Sequence, residues 1–538
     1  MQKFRRTTIF LLLCLCAPPV WAAASFDGDW VGGFERAKGQ VYVHVHLGTT
    51  TNRTTGTIDV LDPLFKGRLP QLDMKLGYVR NTWLISRPLD TLELASSHLH
   101  FELADKGSLM SFDGQVTNGV MTGTMEDRGM KLPFRLDLTA RIDPSRYTGI
   151  YQVGPAHFIA IAPDAPGLLF FDAQSGQMGL LVPRSDTDFA WGLGVKIYQV
   201  QANIHFTTNR IGQVTALQWK SKNASTVEGH QIKLPEEEVS ITNGDVILAG
   251  TLVLPPTKSP HPAVVIDGGS APWVRSDLRG EADFFALNGI AALVYDKRGC
   301  GRSTGDLSVS GFDNLASDAL AGLELLKNRT DINPHQIGLS GSSQGGWIVS
   351  LAASRCRDVA FIISVSGPGI TPEATSAYSV EHWMKAEGYS ATDVDEARSL
   401  YLLSSRYMQT GRNWNEVEAA RKADQNKPWY NANYLLCNDA SGIDKQWQLI
   451  ANYDPVPALR KVHCPVLSIY GESDPIVPAK ESANIWKTAL SEAGNQDVVI
   501  KIFPHADHVM QDIRTGLPVP GLWTLQHDWL LKHVTVND

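Results

Sequence analysis

Two serines of this chain lie in a G-x-S-x-G setting, the spacing in which a sharp strand-to-helix turn can present a serine hydroxyl as a nucleophile. One is Gly301-Arg302-Ser303-Thr304-Gly305 and the other is Gly341-Ser342-Ser343-Gln344-Gly345. Their surroundings separate them. The strand-like run Gln336–Leu339 leads into the second, and the helical pattern of Trp347–Ala353 follows it. Ser303 lies deep in a loop, with no helical pattern opening at Gly305. Ser343 is therefore the candidate nucleophile. A serine hydroxyl is weak at neutral pH, so it needs a base, and the base needs an orienting acid. Phe503-Pro504-His505-Ala506-Asp507-His508 follows the last apolar run, and Gly471-Glu472-Ser473-Asp474-Pro475 follows the run before it. His508 is the candidate base, with His505 as its rival. Asp474 is the candidate acid, with Asp507 and Glu472 as rivals. In that arrangement Ser343 Oγ attacks an acyl carbonyl, His508 carries the proton, and the Gln344 backbone N–H helps to hold the oxyanion.

These residues need elements that bring them to one place. The runs 263–267, 290–295, 336–339, 360–365, 466–470 and 498–503 are too continuously apolar for half-exposed strands. Amphipathic stretches such as Leu315–Leu326 alternate with them. Buried strands alternating with helices predict a parallel sheet covered on both faces. Ser343, Asp474 and His508 then fall at carboxyl ends of strands, the rim where such sheets place their sites. The stretch between 365 and 466 is too long for an ordinary connection and reads as helices, Val394–Met408 among them. It predicts a cap at about 370–455.

Before residue 235 the pattern is different. Val41–Leu47 and Leu99–Leu103 alternate with period two, and Asp113-Gly114 and Asn118-Gly119 mark turns. Phe26-x-Gly28-x-Trp30 and Tyr147-x-Gly149-x-Tyr151 open two similar stretches. The reading is two β-rich, barrel-like or sandwich-like units, 25–143 and 144–232. Pro235-Glu236-Glu237-Glu238 marks the boundary to a catalytic unit over 236–538. His44/His46 and His98/His100 share strand faces, a spacing that suits a metal. With no carboxylate or cysteine complement legible beside them, a polar outer face is expected, and no metal is assigned.

Composition bounds the rest. At 43% apolar and 19% charged the chain reads as folded, and its net charge of −8 leaves no basic surplus for neutralising phosphates. A nucleic-acid partner is therefore not expected. Lys3, Arg5 and Arg6 precede the apolar Ile9–Cys16 and the small Ala22-Ala23-Ala24. Residues 1–24 thus read as a signal peptide, and the mature chain as secreted or periplasmic without a stable membrane span. Cys300, Cys356, Cys437 and Cys464 lack C-x-x-C spacing. One or two disulfides or free thiols fit equally.

The motifs together resemble the α/β-hydrolase superfamily over residues 236–538, and are similar to its secreted esterase and serine-aminopeptidase-like branch. The order Ser343, Asp474, His508 is that family's order. Tyr295-Asp296-Lys297-Arg298-Gly299-Cys300-Gly301-Arg302-Ser303 resembles its Asp-x-Arg-Gly-x-Gly-x-Ser loop, which gives Ser303 a structural reading. Asp267-Gly268-Gly269-Ser270-Ala271-Pro272 matches the loop that supplies the second oxyanion donor. It has Asp-Gly-Gly-Ser where many relatives have His-Gly, so Gly269 and Ser270 both stand as donors. The second β unit looks like the small lipocalin-like modules appended to some secreted serine hydrolases. The resemblance implies an α/β-hydrolase fold with a helical cap behind an all-β region. It implies cofactor-free cleavage of a small ester, or of a short peptide, through an acyl-enzyme. A serine aminopeptidase or acyl-peptide hydrolase could use the same three residues. A catalytically degenerate binding protein is a further alternative, and the β region is a candidate binding module.

Overall fold

The computed structural model describes residues 26–537 except 37–38, 51–52, 62–82, 106–107, 128, 155–156, 165–166, 173–177, 192–200, 222–224, 387, 431–438 and 514–517. The stretch read as a signal peptide and Cys437 lie outside the described residues.

The chain builds three sheets in succession. Nine antiparallel strands form the first: β1 (Gly28–Arg36), β2 (Gly39–Thr50), β3 (Arg53–Leu61), β4 (Trp83–Pro88), β5 (Thr91–Ala95), β6 (His98–Asp105), β7 (Ser108–Thr117), β8 (Val120–Asp127) and β9 (Met130–Thr139). Their order is β4-β3-β2-β1-β9-β8-β7-β6-β5. Period-two alternation places Trp30, Phe34, Val43, Val45, Leu47, Phe101 and Phe112 on one buried face.

The second sheet closes into a barrel: β10 (Gly149–Gly154), β11 (His157–Asp164), β12 (Gly167–Asp172), β13 (Met178–Pro183), β14 (Asp188–Trp191), β15 (Ala202–Thr208), β16 (Val214–Ser221) and β17 (Val227–Ile232). Ile150 pairs with Ile232 to complete the ring. Aromatic side chains fill its interior. Phe206 lies 5.0 Å from Tyr147 and 5.1 Å from Phe189, ring centre to ring centre. The buried Tyr151 hydroxyl donates to Tyr147 O at 2.7 Å, so a polar tip inside an apolar core is satisfied.

The third sheet comprises β18 (Glu236–Asn243), β19 (Val246–Val253), β20 (His261–Asp267), β21 (Ala291–Tyr295), β22 (Ile332–Ser342), β23 (Ile362–Val365), β24 (Val466–Gly471) and β25 (Val498–Phe503). Its order is β18-β19-β21-β20-β22-β23-β24-β25, with β20 to β25 parallel. The antiparallel pair β18–β19 is not anticipated from sequence, where Glu236–Glu238 read as a boundary. Those glutamates begin an edge strand and meet arginines of the neighbouring segments: Glu236 with Arg279, Glu237 with Arg329, and Glu238 with Arg275. Charge on an edge strand also discourages pairing with another chain.

Helices α1 (Arg279–Leu287), α2 (Phe312–Lys327) and α3 (Gln344–Arg355) flank the sheet. Between β23 and β24 come α4 (Pro372–Ala386), α5 (Ala391–Thr410), α6 (Trp414–Asp424), α7 (Lys445–Ile450) and the short α8 (Val456–Leu459). The first two share a core of Ala377, Val380, Met384, Val394, Leu400 and Tyr401. Ser390 and Asp393 form a capping box at the start of α5, and Gly411, at φ 64°, ends it. Helices α9 (Ala479–Glu492) and α10 (Leu522–His533) complete the third domain.

The barrel docks on this domain through aromatic contacts. Phe171 lies 5.8 Å from Phe284 of α1 and 5.4 Å from Trp523 of α10. We expect Phe171→Ala to lower the stability of the full chain by about 2 kcal/mol, from two aromatic pairs and partly buried area. Denaturant unfolding checks this; a change within 0.5 kcal/mol, roughly the scale of surface substitutions, would show that the contact carries no stability.

Candidate active site

Ser343 sits where β22 stops and α3 begins, with φ 54° and ψ −118°. A non-glycine residue held at positive φ is strained, and such strain persists only where the surroundings enforce it. The flanking glycines show the enforcement. A Cβ on Gly341 would lie 2.4 Å from Gly345 O, and one on Gly345 would lie 2.7 Å from Asp267 O. The Ser343 N–H donates to Val365 O at 2.8 Å, which ties the turn to the next strand. Ser303 is occupied otherwise. Its hydroxyl donates to Asp296 O at 2.6 Å and accepts from the Ala249 N–H at 2.9 Å.

His508 and Asp474 meet at the same rim. His508 Nδ1 and Asp474 Oδ2 are 2.8 Å apart, and the Asp474 side chain is fully buried. Asp474 Oδ1 accepts from the backbone N–H groups of Ile476 at 2.8 Å and Val477 at 2.9 Å. Both carboxylate oxygens are thus held as acceptors. A carboxylate can only accept, so Nδ1 donates to Asp474, and in the neutral imidazole Nε2 then carries the lone pair. The loop bearing His508 lies against the end of β24 because Gly471 has no side chain; a Cβ there would fall 2.3 Å from Asp507 O. Ser366 Oγ donates to His508 O at 2.8 Å, one residue beyond the carbonyl that holds Ser343. The β22 turn, β23 and the histidine loop are therefore laced together. No direct Ser343–His508 hydrogen bond forms among the described residues, a contact that often tightens only with substrate.

The rival residues are engaged elsewhere. His505 is exposed. Asp507 Oδ1 accepts the Val509 and Gln511 N–H groups of its own turn, and Glu472 faces Lys480 at 3.6 Å. Arg298 pairs with Asp318, Arg275 with Glu238 and Asp296, and Arg302 with Glu238. Those arginines fix loops.

Gln344 opens α3, so its N–H is one of the first-turn donors that lack an intrahelical acceptor. Gly269 approaches from the end of β20, its ideal Cβ position 3.5 Å from Ser343 Cβ. Lys297 joins the two segments. It is 2% exposed, and its Nζ donates to Gly269 O and, at 3.0 Å, to Gln344 Oε1. Sequence reading passes over Lys297 as a link in a loop motif. Its signal is a lysine two residues past the end of an apolar strand, between Asp296 and Arg298. Burial lowers the Lys297 ammonium, while burial pushes the neighbouring Asp267 carboxyl up to about 6. From the cap, the Tyr378 hydroxyl donates to Asp474 O at 3.1 Å.

Cys300 is buried and its thiol is pushed up by that burial, unlike a reactive thiolate. Cys300, Cys356 and Cys464 are free thiols. The paired histidines of the first sheet do have carboxylate complements, which their sequence neighbourhood conceals because they lie on adjacent strands. His44 and His46 both meet Asp29 Oδ1, at 3.0 and 2.9 Å, and His98 meets Asp113 at 3.2 Å. Among the described residues no group of three or more such side chains is placed to hold a metal ion. No helix among them is long and apolar enough to cross a membrane.

The family described as serine aminopeptidase, S33, matches residues 278–512. Esterase EstD of Thermotoga maritima is 26% identical over 314 residues, which cover 56% of this chain and 68% of the relative. A human mitochondrial palmitoyl-protein thioesterase is 24% identical over 231 residues, covering 43% of this chain and 61% of the relative. Among solved structures, an esterase of Pyrococcus furiosus is similar over 56% of this chain and 92% of its own, with 18% identity and a TM-score of 0.37.

The electrostatics of His508 set a pH dependence. Burial acts to lower its pKa, but the charge and hydrogen bond of Asp474, with Asp507 behind them, outweigh it and raise the pKa. Only the neutral imidazole can take the serine proton. The rate of fluorophosphonate labelling of Ser343 should therefore fall on acidification with an apparent pKa above the ordinary histidine value of about 6.5. A labelling profile with its acid limb below 6 would contradict this balance of charges.

Proposed function

The C-terminal half of the chain belongs to the α/β-hydrolase superfamily, and we propose that it is a serine hydrolase that cleaves carboxylic esters through an acyl-enzyme. The observation that carries the reading is the buried 2.8 Å contact between His508 and Asp474 at the rim where the strained Ser343 turn emerges. His508 Nε2 takes the Ser343 proton as Oγ adds to the ester carbonyl. The carbonyl electron pair moves onto oxygen, where N–H donors from Gln344 and the 269–270 segment receive it. Each such donor contributes about 3 kcal/mol to the transition state. Collapse expels the alcohol, protonated by His508, and water then releases the acid by the same steps.

Ester cleavage is favoured over removal of N-terminal amino acids by the similarity to proteins named esterase and thioesterase. The basic, apolar and small-residue order of residues 1–24 supports export to the periplasm or beyond, which N-terminal sequencing of the mature chain would test.

Ser343→Ala should abolish fluorophosphonate labelling and lower turnover by about 10⁴-fold or more, and His508→Ala should lower turnover comparably. Undiminished labelling of Ser343→Ala would sink the assignment. A panel of acyl esters, aminoacyl amides and lactones on the purified chain tests the substrate class. Fast amide cleavage with negligible ester hydrolysis would transfer the chain to the aminopeptidase reading.

A further inference from the structure

We propose that buried Lys297 is the positioning residue of the oxyanion site, and that through it the Ser270 N–H is the donor opposite that of Gln344. The inference rests on the serine-hydrolase reading and adds to it which peptide group does the work and what holds that group.

Lys297 lies just past β21, nearly sealed from solvent, and its ammonium has two acceptors. Gly269 O belongs to the segment after β20, and Gln344 Oε1 to the residue after the candidate nucleophile. One side chain thus spans the two segments that must converge on the developing oxyanion. The peptide unit between residues 269 and 270 is planar and trans, so its C=O and N–H point in opposite directions. With Gly269 O turned inward to Lys297, the Ser270 N–H is turned outward. Burial agrees, since Gly269 is buried and Ser270 is exposed. Gly269 also stands beside Ser343, with its ideal Cβ position 3.5 Å from the serine Cβ. Among the described residues neither the Gly269 nor the Ser270 N–H donates to a backbone carbonyl, so the direction of the Gly269 carbonyl is what separates them.

Two consequences follow from the charge. An ammonium bonded to a carbonyl polarises that peptide and strengthens the donor at its far end. A cation behind the peptide also favours negative charge in front of it. The ionisable groups acting on Lys297 are Asp267, Cys300 and Asp318. Asp267 Oδ2 already accepts from the Tyr295 hydroxyl at 3.0 Å, and Asp318 is bound to Arg298 at 2.6 Å. Gly269 O and Gln344 Oε1 are the acceptors the ammonium reaches.

The test uses the full-length protein and Lys297→Met, which keeps the length of the side chain and removes its donors. Turnover is counted per site titrated with a fluorophosphonate, so misfolded molecules do not enter. A trifluoromethyl ketone serves as the probe of the oxyanion. Ser343 Oγ adds to its carbonyl, the carbonyl pair moves to oxygen, and His508 takes the proton. Lys297→Met should lower kcat per site about 100-fold with KM within about threefold, and raise the ketone inhibition constant by a similar factor. Gln344→Met, which keeps the backbone donor and deletes one acceptor of Lys297, should give about a tenfold loss in both. A purely structural lysine would lower the number of titratable sites and leave kcat per site and the ketone constant at parental values, which overturns the proposal. Should Lys297→Met fail to fold, parental values in Gln344→Met overturn it instead. An unmodified chain that is neither labelled nor active on esters or amides would refute the serine-hydrolase reading itself, an outcome distinct from either.

Discussion

The site depends on one backbone constraint: β22 must end, turn and become α3 within a single residue. Ser343 meets it at φ 54°. The turn closes only because Gly341 and Gly345 are bare, since a Cβ on either would strike backbone oxygen at 2.4 or 2.7 Å. That close approach has a chemical return. It brings the end of β20 against the first turn of α3, and Lys297 bridges Gly269 O and Gln344 Oε1 across that junction. The strain at Ser343 is then part of how its hydroxyl is exposed at the rim.

Around the turn, the protein buries charge in bonded sets. Asp474 has no exposed surface at its side chain and is held by His508 and two amides. Arg298 grips Asp318 through two contacts of 2.6 Å. Lys297 binds two acceptors beside Asp267. Ionised groups are costly to bury, and removing one partner of such a set typically costs 3–5 kcal/mol because the other is left uncompensated, a general figure of about that size. These bonded sets lie at the carboxyl edge of one sheet, past β21 and β24. The barrel is joined to the domain by apolar contacts, through Phe171, Phe284 and Trp523.

The β region is packed in two different ways. The first sheet buries an alternating face in which Phe101 stacks on Phe112 at 4.6 Å. The barrel is filled by Tyr147, Tyr151, Phe170, Phe189 and Phe206. Carboxylates of neighbouring strands recur beside the histidines: Asp29 under His44 and His46, Asp172 beside His157, and Asp188 beside His205. The bond from His44 and the burial it opposes leave Asp29 at about 2, so this carboxylate is ionised across ordinary pH.

Local pattern determined much of this protein. The continuous apolar runs marked the central parallel strands because a strand covered on both faces has no polar side to alternate with. The run 498–503, read in the same way, is instead the half-exposed edge strand β25, whose Val499 and Lys501 face solvent because no strand lies beyond it among the described residues. The glycines around Ser343, and the loops bearing Asp474 and His508, stood at the ends of those runs, so their common rim was legible in chain order. Other features depended on partners far away in sequence. Glu236–Glu238 read as a boundary and proved an edge strand, because their arginines arrive from residues 275, 279 and 329. Asp29 lies across a strand from its histidines, a relation set by sheet register. The choice between Gly269 and Ser270 was open in the sequence, since either amide could face the serine. The contact of the Lys297 ammonium with Gly269 O, on which the proposed Ser270 donor rests, exists only in the fold, because it joins residues 28 apart in the chain.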